Sequence, residues 1–110
     1  MIRFVDTVNW RGVLPETLLA LTIANEIYTA AGLDLWITSV TDGQHAAGPT
    51  HILGAAVDIR THGVPRESLD NLVETIGRRL GPQFDVVLES RDGMNEHLHI
   101  EFDPRKKIEL

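Results

Sequence analysis

The chain contains no cysteine. Disulfide scaffolds and thiolate-bound zinc are therefore excluded, and any metal site must be built from imidazole and carboxylate. Basic residues are also scarce: 10 Lys and Arg stand against 16 Asp and Glu, for a formal charge of -6. A protein that neutralises phosphates needs a basic stripe, and here the one cluster is Arg105-Lys106-Lys107, read as a solvated tail. No apolar run approaches the length of a membrane span, and Met1 to Asp6 lacks the basic-then-apolar pattern of a secretory signal. Repeats, low-complexity tracts and internal linkers are missing as well. Nucleic-acid and membrane partners are therefore not expected, and the chain is expected to be made in the cytoplasm without a signal peptide.

What remains is an ordinary globular composition, 43% hydrophobic and 24% charged, in 110 residues. That length suits one domain, residues 1–110, with a single modest core. Pro15 and Glu16 open a helix, because Pro suits the first helical position and Glu complements the positive end of the dipole. Leu19, Ile23, Ile27 and Ala30 form an apolar stripe along it, and Gly32 stops it. Residues 33–40 alternate and are rich in β-branched types, predicting a strand, followed by a polar loop from Thr41 to Thr50. A second strand is predicted from Ala55 to Arg60, with Val57 and Ile59 on one face and Asp58 and Arg60 on the other.

Pro65 opens a second helix, with Leu69, Leu72, Val73, Ile76 and Leu80 on its buried side, and Gly81-Pro82 ends it. Phe84 to Ser90 and His97 to Phe102 read as strands of a hairpin around the turn signal Arg91-Asp92-Gly93. The expected class is α+β, with a small, mostly antiparallel sheet packed against two main helices. Trp36, within a strand, is expected in the core, and Trp10 at one edge of a cleft.

Two stretches carry chemistry. The first, His51-Ile52-Leu53-Gly54-Ala55-Ala56-Val57-Asp58, is an H-x-x-G-x-A-x-D string. The second, Glu96-His97-Leu98-His99, is both E-x-x-H and H-x-H. In the last strand His97, His99 and Glu101 share one face while Leu98, Ile100 and Phe102 take the other. Asp58 lies opposite Val57 and Ile59, so its carboxylate can join that polar face. His51 and Asp58 are an odd number of residues apart, and Gly54 supplies the bend that returns His51 over the sheet. Two imidazoles and one carboxylate leave a tetrahedral zinc with an open fourth position, as hydrolysis requires. A facial-triad iron site would place its first His and carboxylate two residues apart, and the wider gap here favours zinc.

With these motifs the chain resembles the zinc D,D-carboxypeptidase and L-alanyl-D-glutamate endopeptidase superfamily, which shares its fold with the Hedgehog signalling domain. The likeness is closest to small bacteriophage members of the D-Ala-D-Ala carboxypeptidase type. It runs through residues 37–45, Ala56 to Thr61, Asp85 to Glu89 and His97 to Glu101, covering about Leu14 to Pro104. The resemblance implies a Hedgehog/DD-peptidase-like fold and zinc held by His51, Asp58 and His99. It implies Glu96 as the general base and His97 as an aid to the oxyanion. Peptidoglycan stem peptide is the implied substrate, and His45 and Arg60 are candidates to contact it. Glu89 and Glu101 are alternative acids, and His62, beside Gly63, is assigned no role. Pro49 replaces the family's Ser, and residues 38–50 contain no Arg to grip a substrate carboxylate, so exopeptidase and endopeptidase action both stay open. Such an enzyme, phage-encoded and without a leader, would reach the wall on release from the cell or as part of a virion. The other expectation is a phage structural or assembly protein that kept the peptidase fold without turnover.

Overall fold

A computed structural model describes residues 1–41 and 53–105. Helix α1 spans Pro15–Ala30, with Pro15 in its first turn and Glu16 beside the positive end of the dipole. Its buried residues are Thr17, Ala20, Leu21, Ala24 and Tyr28. The stripe expected from Leu19, Ile23, Ile27 and Ala30 is thus rotated: Leu19 and Ala30 are exposed, and Ile23 and Ile27 half-buried. Two apolar arcs overlap on this helix, and the inner one carries Ala20 and Ala24, whose small side chains let the backbone sit close to its neighbours. The polar members of that arc are satisfied locally: Thr17 Oγ1 donates to the Gly54 carbonyl at 2.7 Å, and Tyr28 Oη to the Arg60 carbonyl at 3.4 Å.

Helix α2 spans Arg66–Leu80, follows Pro65 as anticipated, and ends at Gly81, whose φ of 92° is one that glycine adopts readily. Leu69, Leu72 and Ile76 face inward, with Val73 and Leu80 partly buried, in agreement with the expected stripe. Both helices share one cluster with Leu35, Ile37, Val57, Ile59, Leu98 and Ile100. No helix among the described residues is long and apolar enough to cross a membrane.

Five strands form the sheet: β1 (Ile2–Phe4), β2 (Leu35–Ser39), β3 (Ala56–Arg60), β4 (Phe84–Glu89) and β5 (His97–Phe102), in the order β1-β2-β3-β5-β4. The β2/β3, β3/β5 and β4/β5 pairings are antiparallel, and β1/β2 is parallel. The class is α+β with a mostly antiparallel sheet and two helices, as composition and periodicity led us to expect. Strand β1 was not anticipated. Three exposed residues carry no periodicity, and their pairing partner lies on the far side of α1.

Gly54 enters β3 with φ 78°, and a Cβ built there would fall on the carbonyl of Gly12. Leu14 N–H also donates to the Gly54 carbonyl at 3.0 Å, so the segment before α1 is laced to the residue that starts the approach to Asp58. Trp36, expected in the core, instead faces the other side of the sheet. Leu35 and Ile37 take the core face, and strand alternation forces their neighbour outward. Trp10 packs partly buried against the core and meets Phe4 edge-on, with centroids 5.8 Å apart.

Candidate metal centre

Register brings the chemistry together. Across β3 and β5, Asp58 faces His99, Arg60 faces His97 and Ala56 faces Glu101. Across β4 and β5, Glu89 faces His97, Val87 faces His99 and Asp85 faces Glu101. Val57, Ile59, Leu98 and Ile100 occupy the core face, so alternation turns Asp58, His97, His99, Glu101 and Glu89 to the opposite face. The sheet therefore has one apolar face under the helices and one bearing imidazoles and carboxylates.

At its centre Asp58 Oδ1 lies 2.8 Å from His99 Nδ1, and Glu101 Oε1 lies 3.0 Å from His99 Nε2. The Asp58 and His99 side chains are 14% and 12% exposed, so this pair is poorly screened by water. Burial alone lowers the pKa of the imidazole. Hydrogen bonds to Asp58 and Glu101, with the charges of Asp58 and Glu89, more than offset it and raise His99 to about 9. Without a metal, His99 is an imidazolium held between carboxylates.

His97 sits beside it. Its Nδ1 donates to the Asn95 carbonyl at 2.7 Å, and its Nε2 shares a hydrogen bond of 2.8 Å with Glu89 Oε1. Glu89 Oε1 is also 3.9 Å from His99 Nδ1, and Asp58 Oδ1 is 3.8 Å from His97 Nε2. Ligand-capable atoms of Asp58, Glu89 and His99 all lie within 4.8 Å of one another. A mixed imidazole and carboxylate set of this kind suits a divalent cation, though it does not by itself select zinc. A second group, Asp85, Glu101 and Asp103, lies along the same strands, with Asp103 already accepting from Arg105.

Glu96 stands outside this group, at the wall of the adjoining cleft. Its carboxylate accepts from both terminal nitrogens of Arg66 at 2.8 Å, from the Thr61 hydroxyl and from the Asp92 N–H at 2.7 Å. The side chain is 8% exposed. The Arg66 guanidinium, then the Thr61 and Asp92 donors, hold its pKa well below the usual carboxylate range. Arg66 further binds Asp92 at 2.7 Å, and Arg91 binds Asp70, so the segment between β4 and β5 is strapped to α2.

On the other flank Arg60 stacks on Trp36, with its guanidinium carbon 5.1 Å from the ring centroid, and Arg3 approaches the same ring at 5.7 Å. A cleft of about 420 Å³ opens here, lined by Thr38, Asp58, Arg60, His62, Glu96 and His97 among others. His62, to which no role was assigned, is thus a wall of the cleft.

Of the residues singled out from sequence, Asp58, His97 and His99 come together, with Arg60 one step along β3. His51, His45 and Pro49 lie outside the described residues. Glu89, named from the sequence only as an alternative acid, joins Asp58, His97 and His99: it stands ten residues before His99, and the β4/β5 register brings it to the same face. Thr61 and Trp36 were missed as neighbours of the site. No family model, no curated protein and no solved structure matches the chain.

Proposed function

We propose that this protein is a zinc-dependent peptidase acting on peptidoglycan stem peptides, of the kind its motifs resemble. What supports the reading is the apposition of Asp58 and His99 at 2.8 Å beside a polar cleft, on the face opposite the core. Asp58 and His99 would hold the ion, with His51 as the third ligand implied by the H-x-x-G-x-A-x-D string. Bound zinc supplies Lewis acidity toward a peptide carbonyl and brings the pKa of water down toward roughly 7.

The chain's own residues do the rest. Glu101 orients the His99 ring through Nε2, as an outer carboxylate commonly orients a ligating imidazole, and leaves Nδ1, on the Asp58 side, for the ion. His97 has its ring nitrogens on Asn95 and Glu89, and the oxyanion role that the resemblance gives it would require one of these bonds to be exchanged. Arg60, preset by Trp36, offers a cationic plane to a substrate carboxylate at the cleft wall. The Hedgehog/DD-peptidase-like topology and a phage origin belong to this same proposal.

The test is to incubate zinc-loaded protein with purified bacterial wall and assay new amino termini. Release that stops on chelation and returns with zinc is the expected result. A protein that binds zinc tightly yet releases nothing would instead fit a virion or assembly component.

A further inference from the structure

Hydrolysis of a peptide bond needs a group that takes a proton from water and returns one to the departing amine. The family resemblance gives that task to Glu96, three residues before His99. Its two oxygens, however, already accept four hydrogen bonds, two of them from one guanidinium, and the side chain is 8% exposed. To receive a proton Glu96 would have to surrender the contacts that anchor its loop to α2.

Glu89 differs on each count. It projects from β4 onto the polar face, directly opposite His97. One of its oxygens lies 2.8 Å from His97 Nε2 and 3.9 Å from His99 Nδ1, and its side chain is 47% exposed. It groups, among the described residues, with Asp58 and His99 as a set that could hold a cation. Among the described residues, its hydrogen-bond partner is His97.

Resting on the peptidase reading, we propose that Glu89, oriented by His97, is the proton-transferring carboxylate, and that Glu96 is a structural pin. As the water oxygen bonds to the peptide carbonyl carbon, its O–H bond breaks and the proton passes to Glu89. As the C–N bond breaks, that proton passes to the leaving nitrogen. Carboxylate, water and peptide yield carboxylate, acid and amine, with no other reactant needed. His97 bridges the Asn95 carbonyl and Glu89, so the acceptor oxygen is held in one place.

The experiment compares the wild type with Glu89→Gln, Glu96→Gln and Asp85→Asn, the last altering a carboxylate on the same face of β4. Each is assayed for release of amino termini from purified wall, for zinc affinity, for melting temperature and for the absorption spectrum of the cobalt-loaded form. Glu89→Gln is expected to lose turnover by roughly 10²–10⁴-fold, the usual worth of general acid–base catalysis. It should still fold and retain zinc with the cobalt spectrum of wild type, and Asp85→Asn should stay active. An active Glu89→Gln sinks the assignment. So does a changed cobalt spectrum or lost zinc in Glu89→Gln, which would make Glu89 a ligand, or a Glu96→Gln that folds and binds zinc normally but is inert. A wild type that binds zinc and cuts nothing defeats the peptidase reading itself, and this role with it.

Discussion

Asp58 and His99, 41 residues apart in sequence, face each other across β3 and β5 with Oδ1 2.8 Å from Nδ1. A second carboxylate, Glu101, takes the other ring nitrogen at 3.0 Å. An imidazole so placed binds its proton tightly until a cation displaces it.

That competition sets a pH dependence. His99 is raised from 6.5 to about 9 in the folded protein. The stabilisation it gives the metal-free protein is therefore complete below pH 6.5 and is lost as pH climbs through 9. Thermal melts in chelator should show a lower Tm at pH 9.5 than at pH 6.5. Zinc affinity should rise over the same interval as the proton leaves the ring. An imidazole NMR titration of His99 with a midpoint near 6.5 would remove the basis for both expectations.

Ligand removal is the second test. His99→Ala, Asp58→Ala and His51→Ala should each weaken zinc by more than the roughly 10–100-fold that follows loss of an outer-shell partner. Equilibrium dialysis with elemental analysis reads this directly. Hydrolysis should disappear with the metal, while Arg60→Ala should retain zinc and raise KM.

Glu96→Ala should act on stability. It leaves the Thr61 hydroxyl and the Asp92 N–H without this acceptor and the Arg66 guanidinium with Asp92 alone. A loss of ~1 kcal/mol or more, corresponding to a Tm lower by about 4 °C in a domain near this size, is expected from calorimetry. Because the Glu96 pKa is depressed on folding, its contribution is present above the unfolded carboxylate value and fades as pH falls toward its folded one. The Tm gap between wild type and variant should therefore narrow in strong acid.

Gly54→Ala should be worse than an ordinary surface change. The backbone sits at φ 78°, and the added Cβ would meet the Gly12 carbonyl. The left-handed conformation alone costs a β-carbon about 1 kcal/mol, and the collision adds to it. A urea midpoint near wild type would show that the segment before α1 yields easily.

The sequence alone was enough to place both helices, four of the five strands and the division of β3 and β5 into an apolar and a polar face. Those features follow from backbone stereochemistry, because alternation, helical spacing and the conformational limits of Pro and Gly act within a few residues. It also singled out Asp58, His97 and His99, since a His-x-His on the polar side of a strand is visible locally. The tertiary structure decided the rest. Which arc of α1 faces inward depended on how closely Ala20 and Ala24 let it approach its neighbours. Trp36 went outward because Leu35 and Ile37 were taken by the core. Strand β1 exists only through its partner β2. Whether Glu89 or Glu96 stands by His99 was fixed by the pairing of β4 with β5 and by Arg66 reaching from α2. Pairing between distant segments is a property of the folded chain, and no local pattern encodes it.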